Sequence, residues 1–263
     1  MPSVLILATI MLYSAATAAC YLQLVGRVSR IAFRFIAIGF FAISIFAVVL
    51  HAILLHRWID IAAGQNLSFF NLFSFAVWLI SAIILLLALF KPLRNLAILV
   101  FPFSALSIFL AWVFPEYVIL QTAAHPKQLV HILSAALAFS VLCLAAFQAL
   151  LLSVQEHMLR YQYAGSVISR LPPLETMEHL LFQLIWLGFF LLTIVLVSSF
   201  YFFYAWLAYP PLQQKTLLAL VAWIIFAVLL GGRYLFGWRG RKVVYYTLSG
   251  VVLLMVIYFS GQL

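Results

Sequence analysis

Six histidines carry most of the side-chain chemistry that this sequence offers. Two of them sit inside apolar runs: His51 in Phe46-Ala-Val-Val-Leu-His51-Ala-Ile-Leu-Leu, and His131 in Leu129-Val-His131-Ile-Leu. A strongly polar or ionisable side chain in a membrane span costs a few kcal/mol, about 2.5–3.5 for a charged one on insertion scales, so it marks a functional candidate. Each of these two residues is read about one turn below the same membrane surface, on different helices, which places the imidazoles at similar depth at 1.5 Å per residue. Two imidazoles at one depth can ligate a haem iron from opposite sides. The competing reading is that each hydrogen-bonds across a helix bundle or reaches toward the interface. His56 (beside Arg57 and Trp58), His125 (beside Pro126), His157 and His179 fall at edges or in connections and read as interface residues.

A second polar group lies near the same surface. The segment Gly64-Gln65-Asn66-Leu67-Ser68 reads as a polar loop able to re-enter the membrane, and it leads into Asn71, Ser74, Trp78 and Ser81. Those four are spaced by three or four residues and share one helical face. Gln65, Asn66, Asn71, Ser74 and Trp78 are candidates for lining a ligand pocket; the alternative is interhelical hydrogen bonding. Aromatics on this side, among them Trp58, Trp112 and Tyr117, read as an interfacial belt.

Other chemistries find little to work with. All five acidic residues (Asp60, Glu116, Glu156, Glu175, Glu178) read as lying in connections, so a proton relay through the spans lacks carboxylates. No nucleophile motif, phosphate-binding loop or HExxH signature is present. Cys20 and Cys143 stand alone in apolar runs, which gives no disulfide framework, zinc site or CxxCH haem attachment. The expectation is a protein without catalytic residues, not an enzyme.

The elements that must position these residues follow from composition. Hydrophobic residues make up 68% of the 263 and charged ones 7%, against roughly 25% charged in a soluble domain. A helix crosses the hydrocarbon with about 20 apolar residues. Apolar runs then predict spans at about 3–25, 34–55, 69–90, 95–114, 129–153, 181–206, 216–236 and 242–260. The fold class is therefore all-α: a polytopic membrane bundle of about eight transmembrane helices, forming a single membrane domain over 1–263. The first run ends in Ala-Thr-Ala-Ala-Cys20 but has no basic leader and continues through Val25, so it reads as a retained helix.

The net charge of +9 is scattered over helix ends. That distribution suits membrane lipid as a partner and excludes nucleic acid, which needs a concentrated basic face. Arg27, Arg30, Arg34, Lys91, Arg94, Arg160, Arg170, Arg233, Arg239, Arg241 and Lys242 fall on one side, and only Arg57, Lys127 and Lys215 on the other. The positive-inside rule makes the first side cytoplasmic and both termini extracytoplasmic, with His51 and His131 nearer the extracytoplasmic surface.

The sequence also resembles a family. Gly237-Trp-Arg-Gly-Arg-Lys-Val-Val244 before a last apolar helix resembles the end of the CcsA-type cytochrome c assembly proteins, which group with CcmC in the haem-handling membrane protein superfamily. Leu129-Val-His131-Ile is similar to that family's outward-facing haem-ligand histidine, and Leu171-Pro-Pro-Leu-Glu175 to the approach to its next span. Gly64-Gln-Asn-Leu-Ser68 and the eight-span layout resemble the YpjD/HemX-like branch. The resemblance implies a bacterial inner-membrane protein that binds or senses haem b non-covalently, or assists cytochrome c maturation proteins. It maps His131 by motif, with His51 as the axial partner inferred from depth. It departs from the synthases at Ala205–Lys215, which lacks their tryptophan-rich loop, and around Gly231-Gly232-Arg233 and Ser260-Gly-Gln-Leu263, where histidines are expected. The alternative is a haem-free scaffold or transport accessory that retains the fold.

The charge asymmetry makes a direct prediction. A periplasmic alkaline phosphatase fused after residue 263 is expected to be active, and one fused after Lys91 inactive. The opposite pattern reverses the orientation.

Overall fold

The computed structural model describes residues 2–25, 30–62, 64–91, 93–120, 126–161, 171–202 and 210–259. Among these residues eight helices are long and apolar enough to cross a membrane. They are α1 (Pro2–Val25), α2 (Arg30–Ile59), α3 (Phe69–Ala88), α4 (Ala97–Val113), α5 (Pro126–Arg160), α6 (Leu174–Phe202), α7 (Pro210–Phe236) and α8 (Arg241–Phe259). The all-α membrane architecture is as expected from the apolar runs.

Local chemistry explains several boundaries. Prolines open α5 and α7, where a missing N–H is harmless. Extended Ser68 precedes α3, and Pro172-Pro173 precedes α6. At 30 and 35 residues, α2 and α5 are roughly 45 and 52 Å long, well beyond a hydrocarbon core of about 30 Å. His157 is accordingly carried on the last turn of α5 and His179 on α6, not in the long connection expected at 154–180. His125 lies outside the described residues.

The chain divides into two compact units, one built on α1–α4 and one on α5–α8. In the first, α1 packs on α2 and α4, and α3 on α4 and α2. Its core holds Tyr13, Phe40 and Phe101 fully buried. Tyr13 meets Phe101 edge-on at 5.3 Å, and Phe40 stacks on Phe101 at 6.0 Å. Beyond α2 a minimal antiparallel sheet forms in the order β1 (Asp60–Ile61), β2 (Gly64–Asn66), β3 (Ile119–Leu120). Asp60 pairs with Gln65, and Gln65 with Leu120. The segment expected to re-enter the membrane is thus a short central strand.

In the second unit α5 is the most enclosed helix and packs on α6 and α8, while α7 packs on α8 and α6. Ala136, Ala138, Ala145 and Ala149 are buried along α5, and small side chains let helix backbones approach closely where lipid supplies no hydrophobic drive between helices. Two glycines serve the same end from the partner helices. A Cβ on Gly188 would overlap Leu142 of α5, and one on Gly250 of α8 would lie 2.7 Å from the Phe226 ring of α7.

Gly250→Val is expected to lower stability by about 1–3 kcal/mol through overpacking, read as a drop in the thermal midpoint of helical signal in detergent. Gly39→Ala, where an added Cβ meets nothing within 4 Å, is expected to leave the midpoint unchanged or raise it slightly.

Candidate functional site

His131 stands in the second turn of α5, partly buried, with Nδ1 2.9 Å from Ser198 Oγ on α6. Ser198 Oγ also lies 2.8 Å from the Val195 carbonyl, which offers an acceptor for its single hydrogen. With the hydrogen on that carbonyl, the serine oxygen accepts and His131 donates through Nδ1–H. In that tautomer the neutral ring carries its lone pair on Nε2, the form in which a histidine held by an outer-sphere hydrogen bond serves as a metal ligand. As a donor group for haem iron, His131 fits.

His51 is arranged differently. It is fully buried within the α1–α4 unit, with Nδ1 3.2 Å from Tyr13 Oη and Nε2 2.8 Å from Ser74 Oγ. A neutral imidazole has one donor and one acceptor, and this arrangement uses both. The chain of hydroxyls continues: Ser107 lies 3.4 Å from Ser74 and 2.9 Å from the Ser104 carbonyl, and Ser104 is 2.8 Å from Ser81. Tyr13 also meets the His51 ring edge-on at 5.7 Å. Ligation of iron by His51 demands opening either the Tyr13 or the Ser74 bond.

The remaining candidates are brought together as ties between elements. Trp78 donates its indole N–H to the Val48 carbonyl of α2 at 2.9 Å. Asn71 donates to the Asn66 and Trp58 carbonyls at 3.2 and 3.4 Å. Asn66 donates to the Glu116 carbonyl and accepts from the Val118 amide, both at 2.9 Å. Gln65 sits in the central strand with a partner on each side. The face shared by Asn71, Ser74, Trp78 and Ser81 is therefore a hydrogen-bonding seam joining α3 to its neighbours.

The family model described as Cytochrome C assembly protein matches residues 38–263, taking in both histidines and the basic turn before α8. The chain belongs to the cytochrome c assembly protein family. Inner membrane protein YpjD of Escherichia coli strain K12 is 31% identical over 201 residues, covering 76% of each chain. Cytochrome c biogenesis protein CcsA of Microcystis aeruginosa is 36% identical over 95 residues, or 36% of this chain and 29% of its own. The CcsA of Gloeothece citriformis is 34% identical over 97 residues, 36% of this chain and 30% of its own. No solved structure matches. The resemblance read from the motifs, including its YpjD branch, is borne out.

Within this cytochrome c assembly fold, the Gly-Trp-Arg-Gly-Arg-Lys turn has a physical account. Gly237 takes φ +63° and ends α7 as a left-handed cap. Its amide bonds the Arg233 carbonyl at 3.1 Å, and the Trp238 amide bonds the Gly232 carbonyl at 3.2 Å. Trp238 lies so close to Gly232 that a Cβ there would enter its ring. Arg233 bonds Glu178 Oε1 at 2.8 Å and the Trp238 carbonyl at 3.1 Å, and stacks over Phe182 at 4.7 Å. Arg239 approaches Glu178 Oε2 at 3.5 Å. Sequence reasoning placed Glu178 in a connection; it is an enclosed anchor on α6, 14% exposed, joined to a residue 55 positions away.

Sequence reasoning also missed Tyr13 and Ser198. Each lies in an apolar run beside a second hydroxyl (Tyr13 before Ser14, Ser198 before Ser199), a weaker form of the signal that singled out the histidines. His51→Ala is expected to lower stability by about 1–3 kcal/mol, because it removes the buried imidazole that bonds both the Tyr13 and the Ser74 hydroxyl. Thermal unfolding of the variant measures this, with Ser74→Ala expected to cost less.

Proposed function

We propose that this chain is a haem-associated protein of the bacterial inner membrane that assists cytochrome c maturation by binding or sensing haem, without forming the thioether bonds itself. The observation that carries the reading is the His131–Ser198 pair. Ser198 holds the ring at Nδ1, with the Val195 carbonyl as an acceptor for the serine hydrogen; donation from Nδ1–H in this arrangement supports ligation through Nε2, on a residue whose surrounding motif resembles the family's haem-ligand histidine. Membership of the cytochrome c assembly family and the CcsA relatives support a role in maturation, and the YpjD relative supports the inner membrane.

Haem b, held non-covalently, would supply an iron centre ligated by imidazole. The chain's own part is to present His131 in one tautomer and to hold the ring through Ser198. The basic-residue asymmetry supports an extracytoplasmic side for both termini and a place near that surface for His131. The stretch Ala205–Lys215 carries no tryptophan-rich motif to present haem to an apocytochrome, so the proposed role is non-enzymatic; residues 203–209 of it lie outside the described residues. Membrane lipid is the standing partner, and haem and maturation proteins are the proposed ones.

His51 favours a second reading. It shows an intramembrane histidine used as a hydrogen-bonded packing residue, as both histidines would be in a scaffold or transport accessory that keeps the fold without haem. A visible spectrum separates the two. Protein expressed with ample haem and purified in mild detergent is expected to show a Soret band that His131→Ala abolishes. Ser198→Ala is expected to weaken haem affinity about 10–100-fold, and His51→Ala to retain the band. A colourless preparation makes the scaffold the correct reading; loss of the band in His51→Ala makes His51 a ligand.

A further inference from the structure

The end of the α5–α8 unit that carries Arg160 and Arg241 also holds a groove that the reading above does not use. It lies between the last turns of α5 and the first turns of α8 as a half-open groove with room for about 420 Å³, within the roughly 300–1,000 Å³ of small-molecule sites. Its lining is graded. Glu156, Arg160, Arg241 and Tyr245 form the polar end, while Leu150 and Leu248 form the apolar one. The grading follows each helix axis. Leu150 lies ten residues before Arg160 and Leu248 seven after Arg241, which are rises of roughly 15 and 10 Å. Both helices thus run from charge at their ends to hydrocarbon inside the span.

The polar end is organised. Arg241 Nη2 bonds Tyr245 Oη at 3.0 Å, with the guanidinium 5.8 Å from that ring's centroid. Two guanidiniums against one carboxylate leave the mouth positive, and basic pockets between helices at a membrane surface suit anionic headgroups. Glu156 refines the choice. A bare phosphate offers a carboxylate nothing but repulsion, whereas a headgroup with free hydroxyls can donate to it while its phosphate meets the arginines.

The geometry points to a binding site for one anionic phospholipid with a hydroxylated headgroup, phosphatidylglycerol in type. Its phosphate lies between Arg160 and Arg241, its hydroxyls face Glu156, and an acyl chain lies along Leu150 and Leu248. This site is independent of haem, and a colourless protein leaves it intact.

The test uses the full chain, delipidated in detergent and titrated with dioctanoyl phosphatidylglycerol, dioctanoyl phosphatidylcholine or inorganic phosphate. Thermal melting reports binding. Phosphatidylglycerol is expected to raise the midpoint by about 3–5 °C at saturation, and the other two to leave it within about a degree. Arg160→Gln/Arg241→Gln is expected to weaken phosphatidylglycerol binding about thirtyfold. Arg34→Gln/Lys91→Gln, the same charge change on exposed residues of the other unit, is expected to leave it unchanged. Ser153→Trp, which fills the groove without altering charge, is expected to abolish it. Equal shifts with phosphatidylcholine, an equal shift with phosphate, equal weakening in the Arg34/Lys91 variant, or full binding in Ser153→Trp each overturn the proposal.

Discussion

Hydrocarbon offers no water to a polar group, so every donor and acceptor within a span must be met by the protein itself. Most of the side-chain arrangement in this chain follows from that constraint. Many serines and threonines of the spans bond carbonyls one turn back in their own helices, as Thr9 does with Leu5, Ser81 with Val77 and Thr247 with Val243, while the buried Ser44 hydroxyl has no such partner. Where a polar side chain is too large for its own helix to satisfy, it reaches a neighbour. His51 joins α1 and α3, Trp78 joins α2, and Trp223 of α7 bonds Thr193 of α6 at 2.9 Å. These polar contacts fix which helix faces which partner, something apolar surfaces in lipid do poorly because leucine and acyl chain are equally oily.

The two units meet this constraint with different chemistry at their ends. Beyond α2 and α3, the first unit closes with neutral groups. The Asn66 amide bridges Glu116 and Val118, and three short strands share their backbone bonds. At the basic end of the second unit, charge does the work, with Glu178 held between Arg233 and Arg239. Arg233 is 29% exposed, so its pairing is softened by solvent, and the Phe182 face and Trp238 carbonyl share in holding it. Arginine suits such a position because its planar fork can stack and donate at once.

The helices were legible because hydrophobic length is a coarse quantity. Every span announced by an apolar run is present, and ends moved mainly where α2, α5 and α6 continue past the hydrocarbon, which apolarity cannot register. The α3 stripe was legible as one face of a helix, and its use as a seam was one of the two readings open from spacing. The β2 strand was not legible. A Gly-Gln-Asn triplet has no strand pattern of its own, and its pairing depends on Ile119 and Leu120, some 55 residues on. Glu178 with Arg233 and His131 with Ser198 are likewise separations of 55 and 67 residues. Periodicity measures a residue against its own helix, and none of these relations exists within one helix.

The same limit explains why the two histidines looked alike in sequence and differ in structure. Both are single imidazoles in apolar runs near a helix end, and hydropathy scores them equally. Their neighbours decide the difference, through the number of hydroxyls placed against each ring. Tyr13 and Ser74 each place a hydroxyl against His51, one for each ring nitrogen, so whichever tautomer is adopted the ring is consumed by the network. Ser198 places its hydroxyl against Nδ1 of His131 and has the Val195 carbonyl of its own helix as an acceptor for its hydrogen. A serine that bonds back to its own helix is usually read as a residue disposing of a polar group. Here the same hydroxyl also holds a histidine on another helix, and with its hydrogen on the carbonyl it accepts from that ring.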